Sequence, residues 1–444
     1  MTTLQEKNKF LSFKERRSKS LSPELISQFQ QLVEASSSIL KALKQEALKT
    51  LLEVGIPFSK SEDYSSINTS FIESFYQLEV QPSSQKKEAK PSLAPLLPFT
   101  HNSIVIINGK YSKEHSQLID PIHISLLEEH SSSDKLAQLA CNNQKEQNDS
   151  VAALSVLCAA NPLVIDFPEH VTLKYPVHLQ FIHSSHQQSL QRADTHLIIQ
   201  CGTHSQVDLI AQFSNDSLTH EVMNSTTIDF AIEAEAKLSW NAIIEEKKHV
   251  RHFFKAFVRL GKAASFYGNN LVNGQHFNRQ SVEAHLEEEG SYAEWNCASL
   301  VNKKAQVHQH LLFLHKVPHC NSKQLFKNIL KEDSRTSVDG TVIVNEGAHH
   351  TDAQQLINNL ILSDSARATN KPNLMIFADD VKCAHGATIG QLDSEQIFYL
   401  QSRGMTKHQA LALLMDSFLQ STFSEIEKAE IKDWFSQKII QLLA

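Results

Sequence analysis

The sequence predicts a mainly β protein in which a solenoid of short strands lies between helical ends, and three observations predict it. Five apolar segments, HLLFLH, KNILKE, TVIVNE, NLILSD and NLMIFAD, follow one another with polar turns and no helix between them. With Leu314, Leu330, Val344, Leu362 and Phe377 taken as equivalent points, they recur at spacings of 16, 14, 18 and 15 residues. Within them, runs such as LIL and LMIF are apolar on successive residues, as in strands covered on both faces or bent at a coil corner. Helical periodicity, by contrast, dominates the two ends of the chain. Near-equal strand spacing fits a β-solenoid, with an antiparallel sandwich as the alternative architecture. The expected layout is a helical region with its linker over 1–95, a β core over 96–391 and a helical domain over 392–444.

Taken in order, Ser22, Pro23 and Glu24 form an N-cap and first turn, followed by Leu25, Phe29, Leu32 and Val33 at helical spacing. A second stripe runs through Leu40, Leu43, Ala47, Leu48 and Leu51 and stops at Gly55, with Pro57 beyond. The polar, proline-bearing stretch QPSSQKKEAKPSLAP, 81–95, reads as a linker. From about residue 100 the period shifts toward strands, in SIVIING, HLIIQC and TTIDFAIEAEAKLSW, interrupted by helical KLAQLACNN and SVAALSVLCAA between 120 and 160. After Gly390, Asp393 with Gln396, Thr406 with Gln409 and Ser424 with Glu427 each mark a capping box, predicting three helices.

Composition excludes several function classes. The 444 residues are 41% hydrophobic and 20% charged, a globular balance. A net charge of −7 argues against a nucleic-acid partner. No apolar run reaches the roughly 18 residues that span a bilayer, and the polar N-terminal stretch lacks a secretory core, so a cytoplasmic protein is expected. Six cysteines, Cys141, Cys158, Cys201, Cys297, Cys320 and Cys383, occur without a CxxC pair, which predicts free thiols. The nucleotide and hydrolase motifs GxxxxGK[ST], GxGxxG, HExxH and GxSxG are absent, so no ATP site is expected in this chain.

The segment DDVKCAHGATIG, 379–390, is the strongest candidate site. If it is extended, Val381, Cys383 and His385 share one face while Lys382 and Ala384 share the other. Thiolate and imidazole both suit iron, zinc or copper, but two ligands do not close a site, so further ligands must come from elsewhere. A structural cysteine beside a turn-capping histidine is the plainer reading, and Cys–His catalysis oriented by Asp379 or Asp380 a third. The histidine-rich run VHQHLLFLHKVPHC, 307–320, places His308 and His310 on one face, with His319 and Cys320 pointing apart; polar residues at a turn account for it most simply.

The stretch KPNLMIFADDVKCAHGATIGQLDSEQIFYLQSRGM, 371–405, resembles the SufB/SufD family of the Suf iron–sulfur cluster assembly system. The similarity extends through VPHCNSKQLFKNIL and GTVIVNEGAHHTDAQQLINNLILSD, and more diffusely through VIDFPEHVTLKYPVHL and GIPFSKSEDYSSIN, where Tyr64 replaces the family's usual tryptophan. The KCxHGAT stretch is similar to the SufD branch rather than the SufB branch. The resemblance implies a right-handed parallel β-helix between helical domains, in a complex with SufB and the ABC-type ATPase SufC. It implies a non-enzymatic scaffold at whose SufB interface a transient iron–sulfur cluster or iron is held, with His385 as a ligand and Cys383 close by. It further implies that SufC docks on the C-terminal helices, at Ile397, Phe398, Tyr399, Arg403 and Gly404. The family's complex is linked to reduced flavin, although no flavin motif is visible here. The alternatives are a β-helix enzyme acting on polysaccharide and a homodimeric structural protein.

Overall fold

The computed structural model describes residues 19–58, 61, 64–67, 69–76, 97–130, 134–183, 191–215, 221–245 and 249–443. The linker expected over 81–95 and the polar stretch up to residue 18 lie outside the described residues.

The N-terminal helices begin and stop where their capping residues dictate. Helix α1, Pro23–Glu34, opens with Ser22 accepting from the Leu25 amide. Helix α2, Ser38–Val54, ends at Gly55, whose φ of 73° lies in the region that favours glycine. Helix α3 is the short Ile72–Tyr76. Helices α4, Lys135–Glu146, and α5, Ser150–Cys158, are capped by the carboxylates of Asp134 and Asp149. Helix α5 is buried along its whole length, and it joins α1 to α4 in one apolar cluster over Val164, Ile198, Met223, Phe253 and Phe277. The helices therefore seal the outer face of one sheet.

Between Asn102 and Gly390 the strands alternate between a ten-stranded and a nine-stranded sheet, so each turn of chain supplies one strand to each. The ladders along the rod are parallel, which settles the choice against an antiparallel sandwich. The result is a β-solenoid of about seven turns. In-register partners are 28 residues apart at Asn241 and Asn269 and 31 apart at Asn328 and Asn359, so the spacing read from the sequence is half a turn. The equivalences drift by one residue: Leu314 pairs with Ile343 rather than Val344, and Leu330 with Ile361 rather than Leu362. Segments apolar on both faces carry no parity signal, so the hydrophobic pattern alone does not fix the register.

The space between the sheets is filled by columns of inward side chains, one from each turn. One column in the ten-stranded sheet reads Leu209, Trp240, Gly268, Trp295, Gln324, Gln355 and His385. Phe230, Phe254, Phe266, Phe313 and Phe326 pack around it in the same core. A Cβ at Gly268 would stand 2.2 Å from the Trp295 ring, so glycine is required for the indole to lie flat there. The column thus changes from aromatic to amide as it approaches the last turn.

The two ends of the rod are finished differently. At the first turns, Lys110–Tyr111 and His123–Leu126 add antiparallel to Asn102–Ile107 and Leu163–Phe167 and close the sheets. At the other end, Arg367–Ile376 and Lys382–Gly390 are edge strands paired on one side only. From there the chain turns back as helices α6, Ser394–Ser402, α7, Lys407–Gln420, and α8, Ala429–Leu443. Met415, Leu419, Phe423, Ile431, Trp434 and Phe435 pack on Ile210, Ile243, Leu271, Leu300 and Ile329, the outer face of the ten-stranded sheet. Thr406 and Gln409 form the expected reciprocal cap. Asp393 instead caps α6 through the Glu395 amide. Ser424 does not open α8, because its hydroxyl donates to the Ser421 carbonyl at 3.3 Å and the Lys428 carbonyl receives the first helical amides. The six cysteines are free thiols, four of them buried.

Candidate functional site

The last strand, Lys382–Gly390, lies in register with Asp352–Ile361, and this register decides which way its side chains face. Cys383 pairs with Ala353, His385 with Gln355 and Ala387 with Ile357, and Ala353, Gln355 and Ile357 are all buried in the interior rows. Cys383 and His385 therefore share the inward face, about 6.5 Å apart along the strand, as alternation from the sequence predicts. Because no further turn covers them, Cys383 is half-buried and His385 exposed. The pair sits in the open mouth of the rod.

Burial pushes the Cys383 thiol above its usual range, aided by the nearby Asp352 carboxylate and opposed by a backbone hydrogen bond from Ala353. At neutral pH it is a thiol, and a cation binding there must displace its proton. Among the described residues, no group of three or more His, Cys, Asp or Glu side chains is arranged to hold a metal ion. The donor types suit iron, but their number does not complete a site.

Asp379 and Asp380 belong to the corner that precedes the strand. His319, His350 and Asp380 occupy the same left-handed turn position in successive turns, at φ values of 59°, 58° and 52°. The His319 amide donates to the His349 carbonyl, and the His350 amide to that of Asp380. The rings of His319 and His350 stack at 4.8 Å, His350 Nδ1 lies 2.9 Å from Asp380 Oδ2, and His349 Nδ1 donates to the Asp379 carbonyl. Asp380 thus holds the last corner through its carboxylate and Asp379 through its backbone carbonyl, and among the described residues neither carboxylate has a hydrogen bond or ion pair to His385.

The histidine-rich run divides in a way the turn reading does not capture. Only His319 is at a turn. His308 and His315 are buried on the strand Gln306–His315, bonded to Ser337 Oγ at 2.7 Å and Ser322 Oγ at 2.8 Å. His308 and His310 do share the outer face, in register with Ser337 and Asp339. Cys320 is fully buried.

Of the residues expected to receive a partner on and just after α6, Phe398, Tyr399, Arg403 and Gly404 are exposed and Ile397 is half-buried. This helix buries none of its residues; Phe398 is 73% and Tyr399 56% exposed, with the Arg403 guanidinium 5.3 Å from the Tyr399 ring. Gly404 closes the helix at φ 96°. Leu356, Ile376, Phe377 and Ile389 add exposed apolar surface around the open end.

Sequence reasoning missed the ionic latch between helix and solenoid. Arg259 on the nine-stranded sheet donates to Asn143 Oδ1 and Glu146 Oε2 of α4 at 2.7 and 2.9 Å, and to Glu287 Oε1 at 2.6 Å. Burial works against ionisation of Glu287, but its bond to His285 and the charges of Lys316 and Arg259 win and hold the carboxyl well below the usual range. Arg259 lies 116 and 113 residues from Asn143 and Glu146, a separation that no local pattern connects.

A β-solenoid sealed at one end, clamped by helices on both outer faces and carrying Cys383 and His385 side by side at its open end has a scaffold-like architecture. The chain belongs to the SufBD family. The family model described as the SUF system FeS cluster assembly SufBD core domain matches residues 181–418, and that of the SufBD N-terminal region matches 18–179. The chain is 26% identical over 408 residues to an iron–sulfur cluster assembly SufBD family protein of Synechocystis sp., with 89% of each chain covered. It is 25% identical to the chloroplastic protein ABCI7 of Arabidopsis thaliana, covering 90% of this chain and 85% of the relative. It is 31% identical over 212 residues to the iron–sulfur cluster assembly protein SufD of Escherichia coli, covering 48% and 50%.

Proposed function

We propose that this chain is a SufD-type scaffold subunit, without catalytic activity of its own, whose open solenoid end supplies half of an iron–sulfur assembly site. The observation that carries the reading is the pairing of His385 and Cys383 in the uncovered mouth of a rod whose last two strands have unpaired edges. Unpaired strand edges and exposed apolar residues suit a partner of the same build, here a SufB subunit, which would complete the ligand set. The nascent cluster is then cargo held across the interface, bound too weakly by either half to be retained. In this reading His385 is the ligand and Cys383 a neighbouring thiol, while Ile397, Phe398, Tyr399, Arg403 and Gly404 receive the SufC ATPase. The helices that bear this docking face continue directly from the strand that bears His385, so movement of one displaces the other.

The test is co-expression with the cognate SufB and SufC. His385→Ala is expected to leave the complex intact while cluster formation on it falls at least tenfold. Phe398→Ala is expected to leave stability within about 0.5 kcal/mol, since the side chain is mostly exposed, while SufC co-purification falls. An assembled His385→Ala complex that builds clusters at the normal rate removes the assigned role.

A further inference from the structure

We propose that Gln355 is a positioning residue for His385: its buried, unpartnered side-chain carbonyl receives the ring N–H once the exposed ring turns down over it, and so fixes which ring nitrogen remains bare for the iron cargo. The inference rests on the reading of His385 as a ligand and goes beyond it.

Gln355 lies directly beneath His385, in register one turn below and on the same inward row, a separation of about 4.8 Å between neighbouring strands. Its Nε2 donates to Gln324 Oε1 at 2.6 Å, which turns the nitrogen side of the amide down the rod. The carbonyl oxygen of the same planar amide faces away from that bond. It is buried, in a residue only 2% exposed, and has no hydrogen-bond partner among the described residues. A buried acceptor without a partner is costly and calls for a donor.

On the last strand, His385 is the side chain placed over this oxygen that carries a donor. Cys383 and Ala387 stand over Ala353 and Ile357, which have no polar side-chain atoms. Asn359 is already engaged, its Oδ1 by Asn328 and its Nδ2 by Asn370 and the Thr388 carbonyl. Gln354 and Leu356 lie on the other face of the strand. An independent observation marks the amide pair as a built feature: a Cβ at Gly340, in the facing sheet, would stand 2.1 Å from Gln355 Nε2 and 2.9 Å from Gln324 Oε1. Glycine there leaves room for the two amides. Ligating histidines characteristically donate their second ring nitrogen to a carbonyl or carboxylate, which sets the tautomer and ring orientation.

The experiment has two arms. In the free chain at pH 8, carrying ring-labelled histidine, the nitrogen shifts of His385 are assigned by comparison with His385→Ala. Wild type and Gln355→Glu, which keeps an acceptor, are expected to show one dominant tautomer, and Gln355→Leu a mixture. In the complex with SufB and SufC, Gln355→Leu is expected to slow cluster formation 10- to 100-fold, Gln355→Glu less than threefold, and Gln355→Leu to add nothing once His385→Ala is present. An unchanged tautomer in Gln355→Leu, or an equal loss in the His385→Ala background, overturns the positioning role. A harmless His385→Ala instead overturns the ligand reading, while the tautomer arm still decides the hydrogen bond. If Gln355→Leu does not fold, Gln355→Asn withdraws the same carbonyl by one methylene and is read in the same way.

Discussion

Replacing Gly340 with alanine reverses the usual sign of such a change. Glycine inside a strand ordinarily weakens it, and Gly→Ala at a compatible position stabilises by about 0.4–1 kcal/mol through the unfolded chain. Gly340 is buried on the strand Arg335–Val344, and its φ lies outside the left-handed region, so the backbone itself accepts alanine. The added methyl would nevertheless lie 2.1 Å from Gln355 Nε2 and 2.9 Å from Gln324 Oε1. One or both amides must then move. Breaking their mutual bond costs about 0.5–1.5 kcal/mol net, and overpacking adds about 1–3 kcal/mol, so the net destabilisation is expected near 2 kcal/mol after the entropic gain. With an unfolding entropy of roughly 2 cal/mol/K per residue, a chain of this length loses only about 2 °C in Tm. The urea midpoint is therefore the assay to use. The double variant Gly340→Ala with Gln355→Ala is expected to recover most of the loss, because the methyl then fills the space vacated by the amide. A single Gly340→Ala variant as stable as wild type, or more so, refutes the packing argument.

Two further perturbations test the rest of the frame. Arg259→Met removes the guanidinium that bridges α4 and the solenoid, while Glu287 keeps Lys316 and Asn143 keeps Asp229; a loss of about 1–3 kcal/mol is expected, with hydrogen exchange rising in α4 before the strands. Stability is also expected to fall with acid. Burial lowers the pKa of His178 and His308 to about 3 and of His315 to about 4, with neighbouring positive groups contributing for the first two. The folded state binds fewer protons than the unfolded chain between these values and about 6.5. The contribution is thus complete above pH 6.5 and lost as pH falls toward 3–4, about 2 kcal/mol per ring already at pH 5. Urea midpoints at pH 7.5 and 5.0 measure the slope, and His308→Gln is expected to flatten it.

How much of this was legible in the sequence follows from the range of each interaction. Helix starts at Ser22 and Thr406 and the stop at Gly55 are decided within four residues, and the structure repeats them. The shared face of Cys383 and His385 needs only strand alternation. Ser424 misled because a serine three residues before a glutamate is a capping signal only if its hydroxyl is not already bonded, here to Ser421. The register of the turns was off by one where strands are apolar on both faces, and the burial of His308 and His315 depends on serines supplied by other strands. The Gln324, Gln355 and Gly340 arrangement was invisible for the same reason: its members meet only after two sheets have closed on each other.

The C-terminal helices grip the ten-stranded sheet from Ile210 to Leu360 and leave the last strand, Lys382–Gly390, outside that grip. A rod whose turns touch only their neighbours behaves as a one-dimensional chain of links, in which an end link opens independently of those behind it. The terminal turn has neighbours on one side alone, so it is the least cooperative part of the molecule, and it is the part that carries Cys383 and His385. Such a link can loosen and re-form while the clamped body stays folded, so the position that confers exposure also confers reversibility.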